Sequence, residues 1–370
     1  MLLHGIFPPI TTPFYPDGRV YLKKLEHNVE RYSKTPVAGI VVLGSTGEAI
    51  ALSDDERREI LKTGVEACAP QKVLIAGTGA ESALETLRLT EYAADLGYDA
   101  ALVRTPFFYK PQLKPANILT FYRTVADRSP IPVLIYSVPV FTGYDMPPEL
   151  VIELANHPNV IGIKESGGDA AKIRLMVDGA KHIKRSVTVT TTFAAVTPRM
   201  IKAAQSEAFR ESGELVSIGA LPEKAGSGHV GTTARGAPAE HGPSNSSNSA
   251  GLKTRQKEVG FQVLAGTAQR LLPALGAGAV GAVLAFATPA PTACYEIYTA
   301  WKEGDIGLAR EKQERVSATA SRVASELGIP ALKYALDLNG YYGGPPRLPL
   351  LPLPGNLKTE VEKLMSDLRN

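Results

Sequence analysis

Two potentially reactive side chains in this chain stand at the ends of short apolar runs. Lys164 ends the run of residues 160–164, and Tyr136 lies near the end of residues 133–138. A lysine that ends a buried strand is poorly solvated, and its neutral amine can attack a ketone carbon to form an imine. A neighbouring phenol can pass a proton to or from the reacting group. Together these side chains indicate aldol chemistry, because an imine accepts the electrons of an adjacent carbon–carbon bond.

A third group of residues follows another apolar run. Residues 44–48 read Gly-Ser-Thr-Gly-Glu. The two glycines let backbone N–H groups converge, and the hydroxyls of Ser45 and Thr46 flank them, which suits the turn to a carboxylate. A phosphate-binding loop is the weaker interpretation, because the turn lacks the lysine and the length of a P-loop.

Each of these features also has a purely structural interpretation. Lys164 could be a core lysine paired with Glu165, and Tyr136 a core tyrosine with a satisfied hydroxyl. The glycine turn could be an ordinary connection between a strand and a helix. The chemical interpretation therefore requires one fold that brings the three features together.

The elements that must position these residues repeat one pattern. A short apolar, β-branched run, typical of a strand buried on both faces, is followed by an amphipathic helical stretch. Eight such units predict an α/β fold, the (β/α)8 TIM barrel, with catalytic residues at the C-terminal ends of its strands. Capping boxes at Ser53 with Glu56 and at Ser82 with Glu85 mark two helix starts. The predicted strands are residues 5–9, 39–43, 73–77, 100–105, 133–138, 160–164, 261–265 and 281–286.

A long insertion separates the sixth strand from the seventh. About ninety residues lie between these strands, where a barrel usually needs far fewer. Residues 169–182 have the pattern of the expected helix, whereas residues 213–257 are rich in Gly, Ser, Pro, Ala and Asn, which predicts a mobile segment. Because the insertion follows a helix and precedes a strand, we place it on the N-terminal face of the barrel, opposite the active site. A functional docking loop is the alternative.

The chain continues as helices after the eighth strand. We assign residues 1–290 to the barrel, interrupted by the insertion at about 184–257, and residues 291–370 to a C-terminal helical region packed on it. Residues 271–295 carry no charge and are long enough to span a bilayer. Their prolines and glycines favour a buried helix, a loop and a buried strand instead, so we expect no membrane span. The predicted C-terminal helices are residues 292–302, 306–327, 331–338 and 357–368.

Composition excludes several classes of function. Hydrophobic residues make up 44% and charged residues 21% of the 370, and the net charge of +3 is too small and dispersed to indicate nucleic acid. The six histidines show no ligand spacing, so we predict no metal and no other cofactor. Cys68 and Cys294 are far apart and predict reduced thiols. Because the N-terminus has no signal-like pattern, the expected location is the cytoplasm.

The motifs resemble those of the dihydrodipicolinate synthase / N-acetylneuraminate lyase family. Residues 44–48 resemble its pyruvate-carboxylate loop, and residues 136–139 with 142–143 resemble its tyrosine motif. Lys164 follows Tyr136 by 28 positions, which is the spacing in that family. The likeness covers the chain except for about residues 184–257.

This resemblance implies a role for each motif. Lys164 would carry the Schiff base, Tyr136 would shuttle the proton, and the substrate would be a small 2-oxo acid held without a metal. It also implies a homotetramer built as a dimer of dimers. The residues that would bind the substrate are Ser45, Thr46, Gly47, Ser166 and Gly266.

Within the family, the chain is most similar to the 4-hydroxy-2-oxoglutarate aldolases. The segments that carry this likeness are residues 5–14, 164–169, 261–266 and 340–345. It implies cleavage of a 4-hydroxy-2-oxo acid to pyruvate and an aldehyde. Dihydrodipicolinate synthesis from pyruvate and aspartate semialdehyde, a sugar-acid aldolase or dehydratase, and a catalytically silent barrel that binds oxo acids are the alternatives.

The chain departs from the family pattern at three positions. Synthases keep an arginine two residues after the proline of the tyrosine motif, to hold a second carboxylate; Phe141 stands there. Phe108 replaces the tyrosine that a neighbouring subunit usually offers to the proton relay, so either Tyr109 substitutes for it or the relay runs through water. Thr46 stands where the oxoglutarate aldolases tend to carry asparagine. Phe141 weighs against the synthase reaction, whereas Thr46 makes the assignment to an oxoglutarate substrate less firm than the mechanism and leaves the aldehyde product open.

Overall fold

The computed structural model describes residues 1–211 and 252–368 of the chain, and eight of its strands form one parallel sheet. The sheet closes because Ile10 N donates to Val41 O at 2.9 Å and Val41 N to Pro8 O at 2.9 Å, around a parallel bridge between Pro9 and Val41. The predicted TIM barrel is therefore confirmed. The barrel strands are β1 (Gly5–Ile6), β2 (Gly39–Val42), β3 (Val73–Gly77), β4 (Ala100–Arg104), β5 (Val133–Ser137), β6 (Val160–Glu165), β9 (Gln262–Ala265) and β10 (Gly281–Ala282).

The observed strands lie inside the predicted runs, except that Glu165 extends β6 by one residue. The first and last barrel strands, β1 and β10, are the shortest. Prolines 8 and 9 cannot donate to a ladder, which limits β1, and a 3₁₀ turn at Ala285–Ala287 follows β10. Along each strand, alternate residues face the barrel interior or the surrounding helices. Leu102 and Leu134 pack inside the barrel, whereas their neighbours Val103 and Ile135 pack under the helices.

Helices surround the strands as the periodicity predicts. Ser53 and Glu56 form the predicted capping box at the start of the second helix. At Ser82 only half of the predicted box forms: Ser82 Oγ accepts from Glu85 N, but the Glu85 carboxylate pairs with Arg88. The helices up to the seventh barrel strand are α1 (Leu22–Ser33), α2 (Asp54–Ala67), α3 (Ala83–Leu96), α4 (Pro115–Arg128), α5 (Pro139–Thr142), α6 (Pro148–Ala155), α7 (Ala170–Gly179) and α8 (Pro198–Glu211).

The charge-free residues 271–295 fold as predicted, into a buried helix, a loop and a short strand before the next helix begins. Among residues 1–211 and 252–368, no helix is both long and apolar enough to cross a membrane. The predicted 306–327 helix is not regular throughout, because its last turns, Ser321–Glu326, are a π-helix. The remaining helices are α9 (Leu271–Gly276), α10 (Pro291–Lys302), α11 (Ile306–Ala320), α12 (Ile329–Leu338) and α13 (Gly355–Met365).

The described parts of the insertion lie at the N-terminal end of the barrel, as predicted. Strand β7 (Arg185–Thr190) pairs antiparallel with β8 (Thr254–Val259), and α8 follows β7. From α8, Arg199 bonds to Lys72 O and to Asp99 Oδ2, and both of these residues directly precede barrel strands. The prediction that residues 254–257 are mobile is wrong, because they belong to β8, which pairs with β7 in a ribbon that buries Val187, Val189 and Val259 against Leu2. The serine- and asparagine-rich run at 242–249 lies outside the described residues.

Candidate active site

Lys164 and Tyr136 lie side by side at the C-terminal ends of adjacent strands. They are register partners in the pairing of β5 with β6, so both side chains point into the barrel. Lys164 is 3% exposed, and its Nζ lies 4.0 Å from the centroid of the Tyr136 ring. Within the part of the chain that the structure describes, this Nζ forms no ion pair. The lysine is thus buried beside a phenol without a countercharge.

The alternative pairing of Lys164 with Glu165 is not found. Successive residues of a strand face opposite sides, so Glu165 points outward and forms an ion pair with Lys172 of α7 at 3.2 Å. Glu165 Oε1 also accepts from Gly167 N at 2.6 Å. Burial raises the pKa of the Glu165 carboxyl, although Lys172 opposes that shift. The strand itself therefore separates the lysine from the nearest carboxylate.

The turn at Ser45–Gly47 faces Tyr136. It is a 3₁₀ turn after β2, and Ser45 Oγ lies 2.9 Å from Tyr136 Oη. Thr46 and Gly47 are buried, and Thr12 Oγ1 donates to Gly47 O at 2.6 Å. The structure thus brings together the three features that the sequence singled out, with a hydroxyl bonded to the phenol and backbone N–H groups in a tight turn.

Glu48 anchors this turn to the C-terminal helices. Its backbone has φ +54°, and its Oε1 lies 2.7 Å from the Nζ of Lys333 in α12. Lys333 also donates to Thr12 O at 2.9 Å and to Pro345 O at 2.8 Å, while Arg347 N donates to Glu48 Oε2 at 2.8 Å. Burial lowers the pKa of Lys333, and Glu48 opposes that shift. Sequence analysis missed this anchor, since residues almost 300 positions apart form it.

Ser166 and Gly266 meet at the mouth, where β6 and β9 end. Gly266 N donates to Glu165 O at 2.8 Å, and a Cβ at position 266 would lie 2.1 Å from Ser166 Oγ. Only glycine therefore fits beside Ser166. The Ser166 hydroxyl is buried and has no hydrogen-bond partner among the described residues.

The structure does not bring Tyr109 to Lys164. Tyr109 is 67% exposed and Phe108 is 70% exposed, and their rings pack edge to face with centroids 5.1 Å apart. Both lie in the loop after β4, and neither lines the cleft beside Tyr136. A relay through Tyr109 would need a second subunit, and it stays a prediction.

A cleft of about 420 Å³ opens beside Ser45 and Tyr136. Phe141, at the position where synthases carry their arginine, is 64% exposed and lines the cleft. Arg104, which sequence analysis did not single out, lines it as well. The sequence could have indicated that Arg104 points inward. Side chains two positions apart on a strand face the same side, and Leu102 faces the barrel interior.

The sequence and the fold both match known proteins. The model of the dihydrodipicolinate synthetase family matches residues 2–205 and 246–368. The 4-hydroxy-tetrahydrodipicolinate synthase of Methanothrix thermoacetophila is 28% identical over 370 residues, which cover 99% of this chain and 98% of that protein. The enzyme of the same name from Xanthomonas campestris is 41% identical over 177 residues, which cover 48% of this chain and 58% of that protein.

Among solved structures, the chloride-inhibited dihydrodipicolinate synthase of Acinetobacter baumannii, complexed with pyruvate, superposes with a TM-score of 0.74. The match covers 99% of each chain at 24% identity. At that identity the likeness supports the fold, and the chemistry must be argued from the residues described above.

Proposed function

The chain belongs to the dihydrodipicolinate synthetase family, and from that premise we propose that Lys164 forms a Schiff base with a 2-oxo acid. The family consists of Schiff-base-forming lyases, so the chain is a lyase of the class I, pyruvate-dependent aldolase type. The observation that carries the assignment to Lys164 is its place: buried, unpaired among the described residues, and 4.0 Å from the ring of Tyr136. A buried amine without a countercharge is suited to nucleophilic attack.

In the proposed reaction Tyr136 carries each proton. The Lys164 amine attacks C2 of the substrate, Tyr136 gives its proton to the C2 oxygen, which leaves as water, and a protonated imine remains on the lysine. The phenolate of Tyr136 then accepts the proton of the C4 hydroxyl, the C3–C4 bond breaks to release the aldehyde, and the electrons of that bond move into the imine to give an enamine. Tyr136 passes this proton to C3, and addition of water releases pyruvate and free Lys164 and returns a proton to Tyr136.

The turn at Ser45–Gly47 holds the substrate carboxylate in this proposal. Its hydroxyls and backbone N–H groups are donors, and the bond between Ser45 and Tyr136 keeps the phenol oriented toward them. Ser166, with its unpartnered hydroxyl, supplies a further donor at the mouth. The substrate carboxylate would therefore be held next to the phenol of Tyr136, which itself lies beside Lys164.

The proposed substrate is a 4-hydroxy-2-oxoglutarate-like acid, which gives pyruvate plus glyoxylate or a similar aldehyde. The curated relatives named above are synthases, so condensation of pyruvate with aspartate semialdehyde is the second candidate. Phe141 weighs against that reaction, because an apolar ring cannot hold a second carboxylate.

A substrate panel separates these candidates. Pyruvate release from 4-hydroxy-2-oxoglutarate and from sugar-derived 3-deoxy-2-oxo acids is compared with pyruvate consumption in the presence of aspartate semialdehyde. We expect the highest kcat/KM for the hydroxyoxoglutarate, and none of the activities in Lys164→Ala. Preferential condensation with aspartate semialdehyde would overturn the substrate assignment and leave the imine proposal standing.

A further inference from the structure

The last residue of β4 places a guanidinium in the same inward-facing layer as Tyr136 and Lys164. Arg104 is the register partner of Tyr136, which is in turn the partner of Lys164. Two strand widths put the Cα atoms of Arg104 and Lys164 about 10 Å apart. A guanidinium at this place faces the part of a substrate that extends away from the imine.

The neighbours of Arg104 hold its side chain in place. Its Nη1 donates to Glu81 Oε1 at 2.7 Å, and its guanidinium carbon lies 4.7 Å from the centroid of the Phe107 ring. Glu81 Oε2 accepts from the backbone N–H groups of Phe107 and Phe108, each at 3.0 Å. Burial opposes ionisation of Glu81, but these hydrogen bonds and Arg104 outweigh it and lower its pKa. The pair is therefore fixed to the loop after β4.

One edge of this guanidinium remains available. In the part of the chain that the structure describes, Arg104 donates only through Nη1, to Glu81 and at 3.4 Å to Thr105 O. Its Nε and Nη2 form the planar fork that binds a carboxylate with two parallel hydrogen bonds. The side chain is 19% exposed and lines the cleft beside Tyr136, so a ligand in the cleft can reach it while water is largely excluded.

We propose that Arg104 binds the distal carboxylate of a 4-hydroxy-2-oxo diacid and selects such diacids over analogues with an uncharged end. This inference rests on the proposed Schiff base at Lys164. Arg104 on β4 supplies the charge that Phe141, which also lines the cleft, does not supply. Breaking the C3–C4 bond then leaves the carboxylate of the departing aldehyde on Arg104 and the enamine on Lys164.

The test compares two substrates that differ only at that end. These are 4-hydroxy-2-oxoglutarate and 4-hydroxy-2-oxopentanoate, in which a methyl group replaces the distal carboxylate. Arg104→Met should lower kcat/KM for the diacid about 100-fold, because a desolvated charge pair is lost, and change that for the monoacid by less than about threefold. Arg104→Lys keeps the charge without the fork and should recover part of the diacid activity.

Arg123→Met is the matched control, since Arg123 also pairs with a glutamate at 2.7 Å but on the surface and outside the cleft. It should leave both substrates unchanged. Equal losses for both substrates in Arg104→Met, or no loss for either, would overturn the proposal. If the variant does not fold, a wild-type enzyme that prefers the diacid by less than about tenfold overturns it as well.

Borohydride trapping of pyruvate on wild-type Lys164 distinguishes a failure of this inference from a failure of the proposed function on which it rests. A wild type that traps pyruvate but does not discriminate between the two substrates contradicts only the role of Arg104. A wild type that traps nothing contradicts the Schiff base itself.

Discussion

Replacing Lys333 by methionine should destabilise the whole protein and loosen the turn at Ser45–Gly47. The ammonium has three acceptors, namely Glu48 Oε1, Thr12 O and Pro345 O, all within 2.9 Å. Methionine fills much of the space but donates to none of them. The variant therefore leaves the buried Glu48 carboxylate without its ion-pair partner and two carbonyls without a donor.

The magnitude follows from this loss. Removing one partner of a buried ion pair costs about 3–5 kcal/mol, because the other charge stays buried and uncompensated. Arg347 N still donates to Glu48 Oε2, which favours the lower end of that range. For a chain of 370 residues, the midpoint of thermal unfolding should fall by roughly 4–7 °C.

The assay is thermal and urea unfolding of the wild type, of Lys333→Met and of the double variant Lys333→Met with Glu48→Gln. The double variant removes both charges and should be more stable than Lys333→Met alone. The pyruvate concentration that half-saturates borohydride trapping should rise in Lys333→Met, since Glu48 ends the turn that holds the carboxylate. A decrease in the free energy of unfolding of less than about 1 kcal/mol, together with unchanged trapping, would refute the reasoning. The loss of one partner from a buried ion pair should destabilise the protein by more than that.

Three further outcomes are expected. Tyr136→Phe should lower kcat by about 10²–10⁴-fold while Lys164 still traps pyruvate, because only the proton shuttle is lost; an unchanged kcat would contradict its role. Burial, reinforced by Lys257 and Lys302, lowers the pKa of His4 to about 4. As the pH falls below 6.5, His4 is therefore protonated in the unfolded protein before it is protonated in the folded protein. Between pH 6.5 and 4, urea unfolding should show the wild type losing stability faster than His4→Leu, by up to about 1.4 kcal/mol per pH unit; parallel profiles would contradict this. Ser53→Ala should cost about 1 kcal/mol in unfolding free energy by loss of the capping box, whereas a neutral effect would show that the cap does not contribute.

The strands and the position of Lys164 could be predicted because they depend on local patterns. Apolar runs of five or six residues predict the strands, and the alternation within a strand decides which side chains enter the barrel. The same alternation separates Lys164 from Glu165, although the sequence alone left their pairing open. Tyr136 and Lys164, 28 positions apart, become direct register partners because one helical crossover joins their strands.

The rest of the site depends on contacts between distant parts of the chain. Lys333 of α12 and Arg347, which lies in the connection between α12 and α13, reach the turn at Glu48, and no periodicity in either segment indicates that contact. The ends of the insertion pair as β7 and β8 across a long sequence separation, which composition alone did not predict. Glu81 lies in the loop after β3, and Arg104 is the last residue of β4. Their pairing depends on how the loop after β3 bends over the barrel mouth, which the sequence does not indicate.

The most direct test of the account is borohydride reduction in the presence of pyruvate, followed by peptide mass mapping. It is applied to the wild type, to Lys164→Ala and to Lys184→Ala, a control that removes an exposed lysine paired with Glu258. We predict a reduced pyruvyl adduct on Lys164 in the wild type and in Lys184→Ala, and none in Lys164→Ala. An adduct on another lysine, or no adduct under conditions that label a known class I aldolase, would contradict the Schiff-base mechanism at this site.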